Sequence, residues 1–181
     1  MAKSVFIGFD FSMNKPAATI LYDKKFNFFI WPLKLPEKHI QTYKDAGVNV
    51  YCRDLDNISE KGGNSQIVLE HTLRSLDLAN TIVNTIDDFL LENNIEGEKI
   101  YIASEGLSFA SKGDAMLNLA SYKGVLLVKL YEHFKDKLAG LYTYTPISIK
   151  AIADCAKKDM VADKNKMIKA FVKEPLNLKF Q

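Results

Sequence analysis

Apolar residues in the first part of the chain fall into three short runs separated by turn-like segments. The runs are rich in β-branched and aromatic residues, a composition typical of strands. They are SVFIGF at 4–9, ATILYD at 18–23 and FNFFIWPL at 26–33. Asn, Asp, Lys and Pro lie between them, so the pattern predicts three successive strands joined as a meander.

The rest of the chain alternates between helical and strand-like patterns. Apolar residues recur every three or four positions across 65–93 and 115–138, which predicts two long amphipathic helices. Two strands are predicted at 99–104 and 141–144. Less regular segments predict a long connection from Pro36 to Asn64, with one short strand near 48–53, and short C-terminal helices at 149–153 and 163–171. The order βββαβαβαα predicts an α/β fold with a five-stranded mixed sheet and helices on both faces.

The composition favours one globular domain. A chain of 181 residues with 48% hydrophobic content can supply a single core, so we expect one domain over 1–181. The longest apolar stretch is far shorter than the roughly 20 residues that a membrane span needs, and no signal-peptide core is recognisable. We therefore expect a cytoplasmic protein without a membrane partner.

Charge is distributed unevenly along the chain. Residues 1–122 contain 12 Lys or Arg and 16 Asp or Glu, whereas residues 123–181 contain 12 and 6. A basic C-terminal third suits a polyanion, because each neutralised phosphate releases counterions and adds affinity. Solvated lysines on helix surfaces explain the same asymmetry equally well.

Two isolated acids stand out in the predicted strands. Asp10 ends the first strand and Glu105 follows the strand at 99–104, each in an otherwise apolar segment. If these strands are parallel neighbours, the two carboxylates converge at one edge of the sheet, where a divalent cation would relieve their repulsion. Hard oxygen ligands favour Mg²⁺ or Mn²⁺. The alternative is that both acids simply face water.

Three segments resemble the RuvC-like Holliday junction resolvases of the RNase H-like superfamily. VFIGFDFSMNKPAATIL resembles the first strand and hairpin of that family, with Asp10 matching its first catalytic aspartate. IASEGLSFASKGDAMLNLASYKG resembles the second motif, in which Glu105 matches the catalytic glutamate and Lys123-Gly124 a basic-glycine pair. TPISIKAIADCAKKDMVADKNKMIKAFV resembles the third motif, in which Lys150 and Lys164 match two lysines. The resemblance covers nearly the whole chain, although each motif is short.

The resemblance implies a metal-dependent, structure-selective endodeoxyribonuclease that nicks Holliday junctions or other branched DNA, acting as a homodimer. Mg²⁺ would be the cofactor, with Mn²⁺ as a substitute, and two ions about 4 Å apart would bind the scissile phosphate. Asp10 would bridge the ions and Glu105 would hold one of them. Such a compact resolvase would suit a bacterium or a bacteriophage.

The predicted DNA contacts are one aromatic and four basic residues. Phe109 could wedge against or stack on an unpaired base, or it could pack in the core. The basic residues predicted to contact phosphates, with solvated surface as the alternative, are Lys112, Lys123, Lys150 and Lys164.

One feature departs from the family pattern. The family has two further catalytic aspartates in a final helix, beyond the segment that corresponds to 171–181. Asp159 and Asp163 are the nearest substitutes, but exposure or helix capping is the simpler explanation of both. We therefore expect this chain to be deficient in catalysis. One alternative to a nuclease is a branched-DNA-binding protein without activity. Another is a fragment of a sugar-kinase or actin-like ATPase, but the sequence has no adenosine-loop glycines to support it.

Overall fold

The computed structural model describes residues 4–53, 64–106 and 114–152. These residues form a six-stranded sheet and four helices. In chain order the elements are β1 (Ser4–Asp10), β2 (Ala17–Tyr22), β3 (Lys25–Ile30), α1 (Glu37–Asp45), β4 (Val48–Val50), α2 (Asn64–Glu92), β5 (Lys99–Glu105), α3 (Asp114–Phe134), β6 (Leu138–Tyr144) and α4 (Pro146–Ile152).

The sheet has the strand order β4-β3-β2-β1-β5-β6. β1, β2 and β3 form the predicted antiparallel meander, whereas β5 and β6 join parallel to β1 and to each other. This mixed sheet agrees with the α/β fold expected from the sequence. The predicted count of five strands is wrong by one, because the short strand expected near 48–53 pairs with β3 as β4 and extends the sheet.

A regular alternation of side chains defines the two faces of the sheet. Val5, Ile7 and Phe9 of β1 are buried, while Phe6, Gly8 and Asp10 between them are exposed. Successive residues of a strand point to opposite faces, so the buried set faces the helices. The residues of α2 and α3 that complete this core are Leu78, Ala79, Ile82, Val83, Ile86, Leu90, Tyr122, Leu126, Leu130 and Phe134.

Local sequence determines several of the chain reversals. Asp23 and Lys24, at the β2–β3 turn, both have positive φ, at 48° and 62°. Two such residues give a two-residue turn whose twist matches the flanking strands. α2 ends where Asn94 adopts φ 54° and the Ile95 amide donates to the Leu90 carbonyl at 2.8 Å, a Schellman-type end.

Two local predictions need correction. The segment from Pro36 to Asn64 was expected to be irregular before its short strand, but Glu37–Asp45 forms α1. The long helix predicted over 115–138 ends at Phe134, and Leu138 begins β6 instead. The Lys137 amide donates to the Phe134 carbonyl at 2.8 Å, and the Lys137 carbonyl accepts from Ile100, which directs the chain into the sheet.

Two of the helices cover one face of the sheet. α2 and α3 pack against the face that carries Val5 and Ile7. The helix predicted at 163–171 lies outside the described residues, so helices on the second face stay a prediction. None of the helices in the described ranges is long and apolar enough to cross a membrane.

Candidate metal centre

Asp10 and Glu105 lie side by side at the ends of neighbouring parallel strands. The register pairs Gly8 with Ala103 and Phe9 with Ser104, so one further step brings Asp10 opposite Glu105. Neighbouring strands are separated by roughly 4.8 Å. The condition on which the predicted site depends, that these two strands are parallel neighbours, is therefore met in the structure.

Both carboxylates also share one face of the sheet. Residues in register on parallel strands point to the same side, and the buried neighbours Phe9 and Ser104 mark the opposite, helix-covered side. Asp10 is exposed and Glu105 is half-buried. Two negative groups on adjacent strands repel each other, and a bound cation would remove that repulsion.

The flanking positions of the same row carry no further acid. Asp10 pairs on its other side with Ala17 of β2, and Glu105 pairs with Tyr144 of β6. Within the described ranges, no group of three or more His, Cys, Asp or Glu side chains could hold a metal ion. Two hard carboxylates on one face fit Mg²⁺ or Mn²⁺, with most of the coordination shell left to water or a phosphate.

Lys123 lies beneath the end of β5. Its side chain comes from α3, only 7% of the residue is exposed, and its ammonium donates a hydrogen bond to the backbone carbonyl of Glu105. Burial lowers the pKa of the Lys123 ammonium, and the neighbouring Glu105 carboxylate partly opposes that shift. Contact of Lys123 with a phosphate stays a prediction, and the buried position leaves little of the side chain available for it.

The peptide group that follows Glu105 is held from both sides. Its carbonyl accepts from Lys123, and its N–H, which belongs to Gly106, donates to the Tyr144 carbonyl at 2.6 Å. A Cβ on residue 106 would approach the Tyr144 carbonyl to 3.3 Å, which is tighter than ordinary contact. Glycine therefore allows β5 and β6 to stay close at this point.

A second buried cation supports the turn after Asp10. The guanidinium of Arg53 donates to the Met13 carbonyl at 3.0 Å and to the Trp31 carbonyl at 3.3 Å. Arg53 is 5% exposed, and burial lowers its pKa while Asp77 and Tyr122 oppose that shift. Sequence reasoning missed this residue, because nothing local distinguishes a buried arginine from an exposed one.

The other predicted DNA contacts are described only in part. Lys150 belongs to α4, which starts two residues after β6, but its side chain lies outside the described residues. Phe109, Lys112 and Lys164 also lie outside the described residues. Their roles stay predictions.

Comparisons with known proteins gave matches among solved structures alone. No protein-family model and no curated protein matches the chain. A RuvC structure from Thermus thermophilus is 13% identical with a TM-score of 0.46, and covers 86% of this chain and 74% of its own. T. thermophilus RuvC in complex with a Holliday junction substrate is also 13% identical with a TM-score of 0.40, and the match covers 98% of this chain and 93% of the other.

Proposed function

We propose that this protein is a metal-dependent endonuclease that nicks four-way junctions or other branched DNA. The observation that carries the proposal is the pair of carboxylates, Asp10 and Glu105, in register on one face of two parallel strands. The three sequence motifs that resemble RuvC-like resolvases support the choice of branched DNA. Mg²⁺ is the proposed cofactor, with Mn²⁺ as a substitute.

The two acids have different surroundings and therefore different proposed roles. Asp10 is exposed at the end of a strand with neighbours on both sides, so it can approach a phosphate directly. Glu105 is half-buried, and the peptide group after it is hydrogen-bonded on both sides, which fixes its position. A bound divalent cation would supply an activated water and offset charge on the scissile phosphate. The chain's part is to hold the cation through Asp10 and Glu105.

We further propose that two copies act together through α3. A row of residues on its outer side is exposed at alternating spacings of four and three, which is the spacing of a helix–helix seam. The row consists of Leu117, Ser121, Gly124, Val128 and Tyr131. Leu117 is 67% exposed and Tyr131 57%, while a Cβ on Gly124 would meet open space. Two symmetric nicks need two sites, and self-packing of this row would supply them.

A branched-DNA-binding protein without activity is the second candidate. It is favoured by the number of ligands, since the described residues provide two carboxylates and no third ligand beside them. Two protein ligands would leave a divalent ion largely hydrated and weakly bound. Both candidates predict junction binding. They differ in whether the protein cleaves the DNA and whether that cleavage needs Asp10.

The test is cleavage of an end-labelled synthetic four-way junction by the 181-residue chain in Mn²⁺ and in Mg²⁺. We expect weak nicking in Mn²⁺ that falls roughly a hundredfold or more in Asp10→Asn and in Glu105→Gln. Glu96→Gln, which removes an exposed acid from a loop, is the matched control and should cleave like the wild type. Equal cleavage by wild type and Asp10→Asn would refute the nuclease proposal, and binding without any cleavage would favour the second candidate.

A further inference from the structure

The ammonium of Lys123 and the carboxylate of Glu105 belong to different sides of the sheet. Lys123 projects from α3, which packs on the face marked by Ile102 and Ser104, whereas Glu105 alternates to the opposite face. The lysine therefore reaches the strand end from below and contacts the backbone of Glu105. This geometry differs from that of a surface lysine whose ammonium is accessible to a phosphate.

Burying an ammonium is unfavourable unless its donors find acceptors. Lys123 has 7% of its surface exposed, and the acceptor beside it is the carbonyl at the end of β5. A carbonyl that leaves the ladder at a strand end needs a donor as well, because buried backbone groups are almost always paired. The contact pairs one donor of the ammonium with this carbonyl, at the residue whose side chain faces the candidate metal centre.

We propose that Lys123 is a positioning residue that sets the direction of the Glu105 side chain through its backbone carbonyl. The proposal rests on the proposed function, since it assigns Lys123 a part in the same site. The Glu105–Gly106 peptide group is held by Lys123 on its carbonyl and by the Tyr144 carbonyl on its N–H. Of these two contacts, the one from Lys123 is made by a side chain. Fixing this peptide plane restrains ψ of Glu105, and with it the path of the carboxylate towards Asp10.

Groups that orient a metal ligand have a measurable signature. Loss of such an outer partner typically lowers metal affinity by 10–100-fold without removing a ligand. A phosphate contact has a different signature, because its loss weakens DNA binding and reduces the salt dependence of that binding. A residue with a purely structural role would lower the melting temperature and leave the metal affinity of the folded protein unchanged.

The experiment is a titration of the full 181-residue chain with Mn²⁺ alone, followed by the electron paramagnetic resonance signal of free Mn²⁺. We expect Lys123→Met to bind Mn²⁺ about tenfold more weakly than the wild type. Lys123→Arg, which keeps a charged donor, should stay within about threefold. Lys129→Met is the matched control, since Lys129 lies on the same helix and pairs with Glu132 at 3.0 Å. It should bind like the wild type.

Each outcome decides between the alternatives. Unchanged Mn²⁺ affinity in folded Lys123→Met overturns the positioning role, and so does equal weakening in the Met and Arg variants. If Lys123→Met does not fold, Lys123→Gln is compared with Lys123→Arg instead. The glutamine side chain is too short to reach the carbonyl. Glu105→Gln tests the proposed function itself. If this variant binds Mn²⁺ as tightly as the wild type, Glu105 holds no metal.

Discussion

Arg53→Met tests whether a buried cation stabilises the loop that follows Asp10. Methionine keeps an unbranched apolar chain as far as the position of the arginine Nε atom but removes the guanidinium. The change leaves the Met13 and Trp31 carbonyls without the donor that reaches them at 3.0 and 3.3 Å. Met13 lies three residues after Asp10, so the same change loosens the segment that leads away from the candidate metal centre.

The expected loss of stability follows from two opposing contributions. A buried carbonyl that loses its donor costs about 1–3 kcal/mol, hence at most roughly 6 kcal/mol for the pair, because the contact with the Met13 carbonyl is only partly buried. Removing the burial cost of the guanidinium, which is also what lowers the pKa of Arg53, offsets part of this loss. We expect a net decrease of about 3 kcal/mol in the free energy of unfolding.

Urea unfolding followed by circular dichroism measures this decrease. With a urea dependence of about 2 kcal/mol per molar, the midpoint should fall by roughly 1.5 M. Lys34→Met, at an exposed lysine, is the control and should shift the midpoint by less than about 0.3 M. An Arg53→Met midpoint within that same small range would refute the reasoning, because it would mean that the burial cost cancels the hydrogen bonds.

Three further predictions concern assembly, DNA binding and catalysis. Val128→Glu, in the middle of the exposed row on α3, should convert a dimer into a monomer in sedimentation velocity, whereas Asn84→Glu on the exposed side of α2 should not; a wild-type monomer would contradict the dimer. Replacing Lys150 and Lys164 together with Ala should weaken junction binding in EDTA and reduce the slope of log affinity against log salt by about 2, and an unchanged slope would exclude them as phosphate contacts. The 181-residue chain should bind a junction without metal but nick it poorly in Mg²⁺; robust Mg²⁺ nicking that Asp10→Asn abolishes would reveal a further ligand, with Asp159 and Asp163 the first candidates.

The alternation of apolar and polar residues within each strand was sufficient to assign each candidate ligand to a face of the sheet. Asp10 and Glu105 each end a strand in which the preceding residue is buried, so a period of two assigns both acids to the exposed face. The same local reasoning predicted the β2–β3 turn and the helical stripe of α2. These features depend on neighbours a few residues apart, which is the range over which sequence patterns are informative.

Tertiary structure decided which strands are neighbours and which charges are buried. The parallel pairing of β1 with β5 joins residues some 95 positions apart, as for Asp10 and Glu105, and no pattern within either strand specifies that partner or its register. β4 joins the sheet by pairing parallel to β3 at the sheet edge, a long-range contact as well. No sequence pattern indicates that Lys123 and Arg53 are buried, and in the structure distant backbone carbonyls accept hydrogen bonds from both, which offsets the cost of their burial. The sequence by itself thus determined where two acids lie on their own strands, whereas long-range packing brought them together and supplied the cations that hold the surrounding backbone.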